Sequence, residues 1–196
     1  MKIAKWLGLD TEDDCERGLE ALDRRDFQAA AEAFRSCIES SSRESTVRLA
    51  RFHLAECYTQ LAESAFRQAD YEVAKEDIEL AFVYAQATAE RHLLAARIAR
   101  RLEDHREASL HLRSALMKAP ENPQALALQA AAWYEEGRTD QALEIAHDIH
   151  DDGRVTQFYE AHEKGDRRTA IGQLLSISAA PPDEESILSR SSRYLG

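Results

Sequence analysis

Apolar residues in this chain return at helical spacing, and they return in blocks. Tyr71, Ala74 and Ile78 stand at i, i+3 and i+7, and Leu112, Ala115 and Leu116 repeat the arrangement further on. Such spacing lines one face of an α-helix with apolar side chains and leaves the other face polar. Shifting the chain against itself by 34 residues brings Ala62 onto Ala96 and Ala130, and Ala74 onto Ala108 and Ala142. Other columns agree in kind: Tyr58, His92 and Leu126; Ala65, Ala99 and Trp133; Ile78, Leu112 and Ala146; Ala81, Ala115 and Ile149; Phe82, Leu116 and His150. Gln68-Ala69-Asp70, Leu102-Glu103-Asp104 and Glu136-Gly137-Arg138 fall at equivalent points between blocks, and Gly137 suits the left-handed backbone that ends a helix. Pro120 and Pro123 mark another break, since a helix does not continue through a proline ring. The pattern predicts tandem pairs of helices, with the alanine columns at crossings where a larger side chain would hold the backbones apart.

The register weakens toward both ends without vanishing. Gly18, Phe27, Ala30, Phe34 and Cys37 form an earlier copy, and Gly165-Asp166, Ala170, Leu174 and Ile177 a shortened later one. The first two copies are 44 residues apart instead of 34, because 40–45 and 46–54 are inserted. Thr46 to Ala69 therefore reads as one helix of about 24 residues, roughly 36 Å long, whose first turns overhang the array. The last two copies are only 28 apart, which predicts a short first helix in the final pair. The expected organisation is an N-terminal segment over 1–10, repeats over about 11–43, 46–88, 89–122, 123–150 and 154–180, and a capping helix over 183–195. Asp183 and Glu184 after two prolines would start that cap, and Ile187, Leu188, Tyr194 and Leu195 would dock it. Ile3, Trp6 and Leu7 either cap the opposite end or form a docking segment.

On these columns, residues 55 to 150 resemble three consecutive tetratricopeptide repeats, and the flanks extend the likeness to about residues 11 to 179. His92 and Leu126 depart from the family's aromatic position, and alanine replaces its glycine in the three central copies. The resemblance implies an all-α protein, a right-handed α-solenoid of about five helix pairs. It also implies a concave groove lined by the first helix of each pair. The groove positions it implies are Thr59, Glu63, Phe66 and Arg67; Leu93, Arg97, Arg100 and Arg101; Ala127, Ala131, Tyr134 and Glu135; and Tyr159 with His162. Relatives that hold the acidic tails of heat-shock chaperones use asparagines where this chain has Glu63, Arg97 and Ala131.

Charge sharpens this reading. A formal net charge of −11 and a pI near 5.1 argue against nucleic acid and anionic membranes as partners. Against that background, Arg67, Arg97, Arg100 and Arg101 stand out as a basic cluster. Beside Phe66 and Tyr134 they could grip a carboxylate-bearing peptide by bidentate hydrogen bonds and stacking. Alternatively, Glu63, Glu103, Asp104 and Glu107 neutralise them within the chain. The expected partner-binding residues are Glu63, Phe66, Arg67, Arg97, Arg100, Arg101, Tyr134 and Tyr159.

Other candidate chemistry is sparse. His147 and His150 are three apart, ahead of Asp151 and Asp152, but no further ligands sit at close spacing, so no metal is expected. The acidic run 10–16 lacks the glycine and terminal glutamate of a calcium loop. Neither a phosphate-binding glycine loop nor a nucleophile elbow is present, and no cofactor is expected. Cys15, Cys37 and Cys57 leave one thiol over in any pairing scheme and contain no CxxC, so they read as inert buried thiols in a reducing, cytoplasmic setting. No apolar stretch reaches the length of a membrane span. The function expected is a non-catalytic scaffold or adaptor that holds another protein or peptide. The overhanging helix or Trp6 offers a surface for a second copy or another protein. The alternatives are a folding or secretion chaperone of the same architecture and, further off, an all-helical enzyme or metal-binding protein.

Overall fold

The structure is a computed structural model that describes residues 10–149 and 153–179. The expected cap over 183–195, the N-terminal Ile3, Trp6 and Leu7, and His150 with Asp151 and Asp152 lie outside the described residues. The regular structure among those described is entirely helical, in ten elements: α1 Asp10–Asp23, α2 Phe27–Ser40, α3 Glu44–Arg67, α4 Tyr71–Tyr84, α5 Ala89–Arg101, α6 His105–Lys118, α7 Pro123–Glu135, α8 Thr139–His147, α9 Arg154–Glu163 and α10 Arg167–Ala179. They fall into two compact units, divided between Ala115 and Leu116.

One turn recurs between the two helices of every pair. Its middle residue is left-handed: Arg25 at φ 57°, Ala69 at 63°, Glu103 at 61°, Gly137 at 82° and Gly165 at 71°. That conformation lets its own amide and the one after it turn back to orphan carbonyls of the helix just ended. Asp26 N donates to Ala21 O at 2.9 Å, Asp70 N to Ala65 O at 3.0 Å and Asp104 N to Ala99 O at 2.9 Å. Arg138 N to Trp133 O and Asp166 N to Ala161 O, both 2.9 Å, complete the series. The residue after the left-handed one then starts the following helix. Asp26, Asp104 and Asp166 each accept a hydrogen bond from the amide three residues on, at 3.1, 2.9 and 3.1 Å.

A turn of fixed shape fixes what faces what across the pair. In the first unit, Gly18 of α1 lies against Phe34 of α2, each eight residues from Asp26. The alanine columns behave as the periodicity predicts at Ala30, Ala62, Ala74, Ala96, Ala130, Ala142 and Ala170, all fully buried. Ala108 departs from its column and is only half-buried.

In the first unit, α2 packs on its own partner α1 and on the next first helix, α3, which in turn packs on α4. Its core gathers Phe34, Leu54, Ala62, Ile78, Leu94 and Ile98. The inserted residues from Glu44 onward do join a single helix: α3 has 24 residues, ten more than α1, α2 or α4. Leu49 and Phe52 on its amino half are 55% and 54% exposed. The second unit is assembled differently. There α7 packs against both α8 and α10, and α10 packs against α9, which has only 10 residues. Phe158, Leu174, Leu126 and Tyr134 form its core.

Two glycines test these two constraints separately. A Cβ on Gly18 would stand 2.7–2.9 Å from the Phe34 ring, which is itself fully buried. Gly18→Ala should therefore lose about 1–3 kcal/mol to overpacking, against a gain of roughly 0.5–1 kcal/mol from helix propensity. Phe34→Leu in the same chain should relieve part of the loss. A Cβ on Gly137 would meet nothing, yet Gly137→Ala should cost about 1–2 kcal/mol through its left-handed backbone. Urea denaturation of the three variants gives both values; an unchanged midpoint for Gly18→Ala would show that the α1–α2 crossing is looser than described.

Candidate interaction face

The basic cluster assembles where the carboxyl-terminal turns of α3 and α5 lie side by side in the first unit. On α3, Glu63 and Arg67 form an i, i+4 ion pair at 3.9 Å with 41% and 66% of their side chains exposed. An exposed pair of this kind contributes only about 0.3–0.5 kcal/mol. On α5, Arg97 sets its guanidinium over the Phe66 ring, 4.8 Å from the centroid. One turn later Arg101 reaches over Tyr71, the first residue of α4, at 5.9 Å. Phe66 and Tyr71 are themselves tilted against each other at 5.5 Å, so two rings and two guanidinium groups form one patch. Arg100 is half-buried on the same last turn of α5.

Electrostatics separate these arginines. Burial holds the Arg97 guanidinium below its ordinary pKa; Glu63 opposes that shift and Arg101 adds to it. Neither Arg97 nor Arg101 makes an ion pair among the described residues. The expected neutralisation by Glu103, Asp104 and Glu107 does not reach them: Asp104 caps α6, and Glu107 pairs with Lys75 at 2.8 Å. A partly desolvated cation whose direct neighbour is an aromatic face leaves hydrogen-bond donors for an incoming carboxylate.

The remaining groove positions are occupied by packing. Leu93 is buried. Thr59 donates to Ala55 O at 2.7 Å and accepts from Arg91 Nε at 3.0 Å. Arg91 is 3% exposed, and it also donates to Gln86 O at 3.1 Å and to Glu56 Oε2 at 3.4 Å. It ties the α4–α5 connection to α3, and no periodic column of the sequence singles it out. Tyr71, the second ring of the patch, was legible only as a core residue.

In the second unit Tyr134 is 5% exposed and Ala127 and Ala131 are fully buried. The Tyr134 hydroxyl meets His162 Nδ1 at 3.0 Å, and its ring stands edge-on to Phe158. Arg167 covers the ring at 5.3 Å and donates to Glu135 O at 3.0 Å and to Tyr134 O. Tyr159 donates its hydroxyl to Leu143 O at 2.9 Å, and burial raises its pKa. Tyr134 and Tyr159 thus build this unit internally, whereas Arg97 and Arg101 on α5 keep outward donors in the first unit.

Three further features bear on chemistry. Cys15 and Cys37 are joined as a disulfide, which corrects the expectation of inert thiols at both positions; their Cα atoms are 5.5 Å apart. Cys57 is fully buried, and burial, reinforced by Glu56, pushes its thiol up to about 12, so here the expected inert thiol is found. The His92 and His111 Nδ1 atoms are 3.0 Å apart on α5 and α6, with Phe82 of α4 stacked on His111. Among the described residues no cluster of three His, Cys, Asp or Glu has the arrangement a metal needs, and no helix is long and apolar enough to cross a membrane.

No protein-family model matches the chain, and no curated protein matches it. Solved structures do. The crystal structure of YrrB, a TPR protein with an unusual peptide-binding site, shares 16% identity at a TM-score of 0.52, covering 91% of this chain and 90% of that one. MamA also matches at 16% identity and a TM-score of 0.52, over 80% of this chain and 90% of its own. The C-terminal part of a TPR repeat-containing protein from Cytophaga hutchinsonii gives 14% and 0.50, over 83% of this chain and 64% of that one. The fold is therefore the all-α fold of tandem tetratricopeptide helix pairs.

His111 makes stability depend on pH. Burial lowers the His111 pKa, with Glu107 opposing and Lys75 adding to the shift. A histidine whose folded pKa lies below its unfolded one binds protons more readily when unfolded. Stability should be fully present above about pH 6.5 and fall as pH drops below it. His53, also lowered by burial, adds in the same direction. Melting curves between pH 7.5 and 5 should show the decline, and His111→Gln should flatten it; an equal slope in the variant would remove His111 from the account.

Proposed function

We propose that this chain is a non-catalytic interaction module that holds an acidic peptide segment of a partner protein on the α3–α5 face of its first unit. The observation that carries the reading is the pair of arginines, Arg97 and Arg101, set on Phe66 and Tyr71 without an ion-pair partner among the described residues. Arg97 and Arg101 supply donors at two successive turns of one helix, so a ligand with carboxylates at similar intervals can engage both. Arg67 offers a third cation at the edge once Glu63 is outcompeted, and the apolar surfaces of Phe66 and Tyr71 favour a ligand with aliphatic groups between its acids. The surrounding protein is acidic, so the cluster is also the place to which an anionic ligand is steered. YrrB, a protein of the same fold, has a peptide-binding site, and peptide capture by this chain would be a use of the same kind.

Fluorescence anisotropy with a labelled glutamate- and leucine-rich peptide tests the reading. Wild type should bind it and ignore a lysine- and leucine-rich counterpart. Arg97→Glu with Arg101→Glu should weaken binding about ten- to a hundredfold. Arg101 is exposed, so Arg101→Glu alone should lose affinity while leaving the melting temperature unchanged. Equal affinity of the double variant, or equal binding of both peptides, would end the proposal; capture of unfolded clients irrespective of charge would point to a chaperone instead.

A further inference from the structure

We propose that Cys15 and Cys37 form a reversible redox latch on the first helix pair, closed by thiol–disulfide exchange with a small-molecule disulfide and opened by a small-molecule thiol. The two cysteines stand eleven residues either side of Asp26, the residue that closes the α1–α2 turn. That symmetry sets them opposite each other at the end of the hairpin farthest from the turn, with Cα atoms 5.5 Å apart, inside the range a disulfide spans. The backbone turn closes one end of the pair and the sulfur bond closes the other. The equivalent positions of the other pairs carry no cysteine: Cys37 stands in the column of Ala81, Ala115, Ile149 and Ile177, and Cys15 in that of Thr59, Leu93, Ala127 and Val155. Those pairs have no sulfur bond at that point.

Access differs between the two sulfurs. Cys15 is half-buried and Cys37 fully buried. An external thiolate therefore attacks Cys15 Sγ. The Cys15–Cys37 bond breaks, its electron pair leaves on Cys37 Sγ, and that sulfur takes a proton. A second thiolate then attacks the external sulfur of the mixed disulfide and releases Cys15. In sum two thiols become one disulfide and the protein gains two thiols; closing runs the same steps in reverse.

Two neighbours make the latch repeatable. Next to the cysteines, Ser36 Oγ donates to Asp14 Oδ2 at 2.7 Å, and that bond links the same ends of α1 and α2 without sulfur. It keeps the reduced thiols facing each other. Cys57, fully buried on α3 with a poorly ionised thiol, does not compete in the exchange.

The full chain equilibrated in reduced or oxidised glutathione, alkylated with iodoacetamide and mapped by mass spectrometry tests the inference. Oxidised glutathione should protect Cys15 and Cys37 together, and native treatment with reduced glutathione, followed by its removal and alkylation in denaturant, should label both. Thermal melting should be about 5–15 °C higher in the oxidised form, from the loop the bond closes in the unfolded chain. Cys15→Ser should abolish that difference, and Cys57→Ala should keep it. Alkylation of Cys15 and Cys37 in oxidised glutathione would overturn the latch, as would a bond that reduced glutathione opens only in denaturant, or equal melting temperatures of the two forms.

Discussion

The turn inside each helix pair sets the terms for the rest of the structure. A left-handed residue forces the chain to reverse, the amide behind it returns to a carbonyl five residues earlier, and the following helix begins in a fixed register. Register decides which side chains are opposite. Gly18 must be small because Phe34 faces it, and the alanine columns are fully buried at seven of their positions. Packing energy then accrues to a geometry that a few backbone hydrogen bonds have already chosen.

Much of this was legible in the sequence, because a period of 34 is a statement about backbone geometry. It predicted the helix pairs, the turns, the single long helix across the insertion and the short helix near the end. It missed what periodicity does not encode. Arg91 is a buried cation whose three partners come from α3 and the α4–α5 connection, and a column alignment has no term for such a contact. The disulfide was readable in principle, since Cys15 and Cys37 are equidistant from Asp26, but counting cysteines for an even total concealed it. Ala108 shows the converse limit: it stands in a column whose other members are fully buried and is itself only half-buried.

The candidate face shows the same division. Sequence placed the arginines on two neighbouring first helices but gave no means to tell stacked from ion-paired groups. Structure separates them by what each touches: Arg67 has Glu63, whereas Arg97 and Arg101 have rings. A ring supports a guanidinium without consuming its in-plane donors, so stacking positions the group and still leaves it able to bind. In the second unit Arg167 uses the same stacking and spends its donors on the carbonyls ending α7, which makes it a brace. The same side chain thus serves recognition in one place and construction in another, according to whether carbonyls lie within reach.

Three of the five reversing residues are Arg25, Ala69 and Glu103, where a Cβ is tolerated at some cost in energy. The bend is therefore upheld by returning amides and by the aspartate that often follows, and less by residue identity at its apex. A chain built this way can drift away from any consensus while its shape persists.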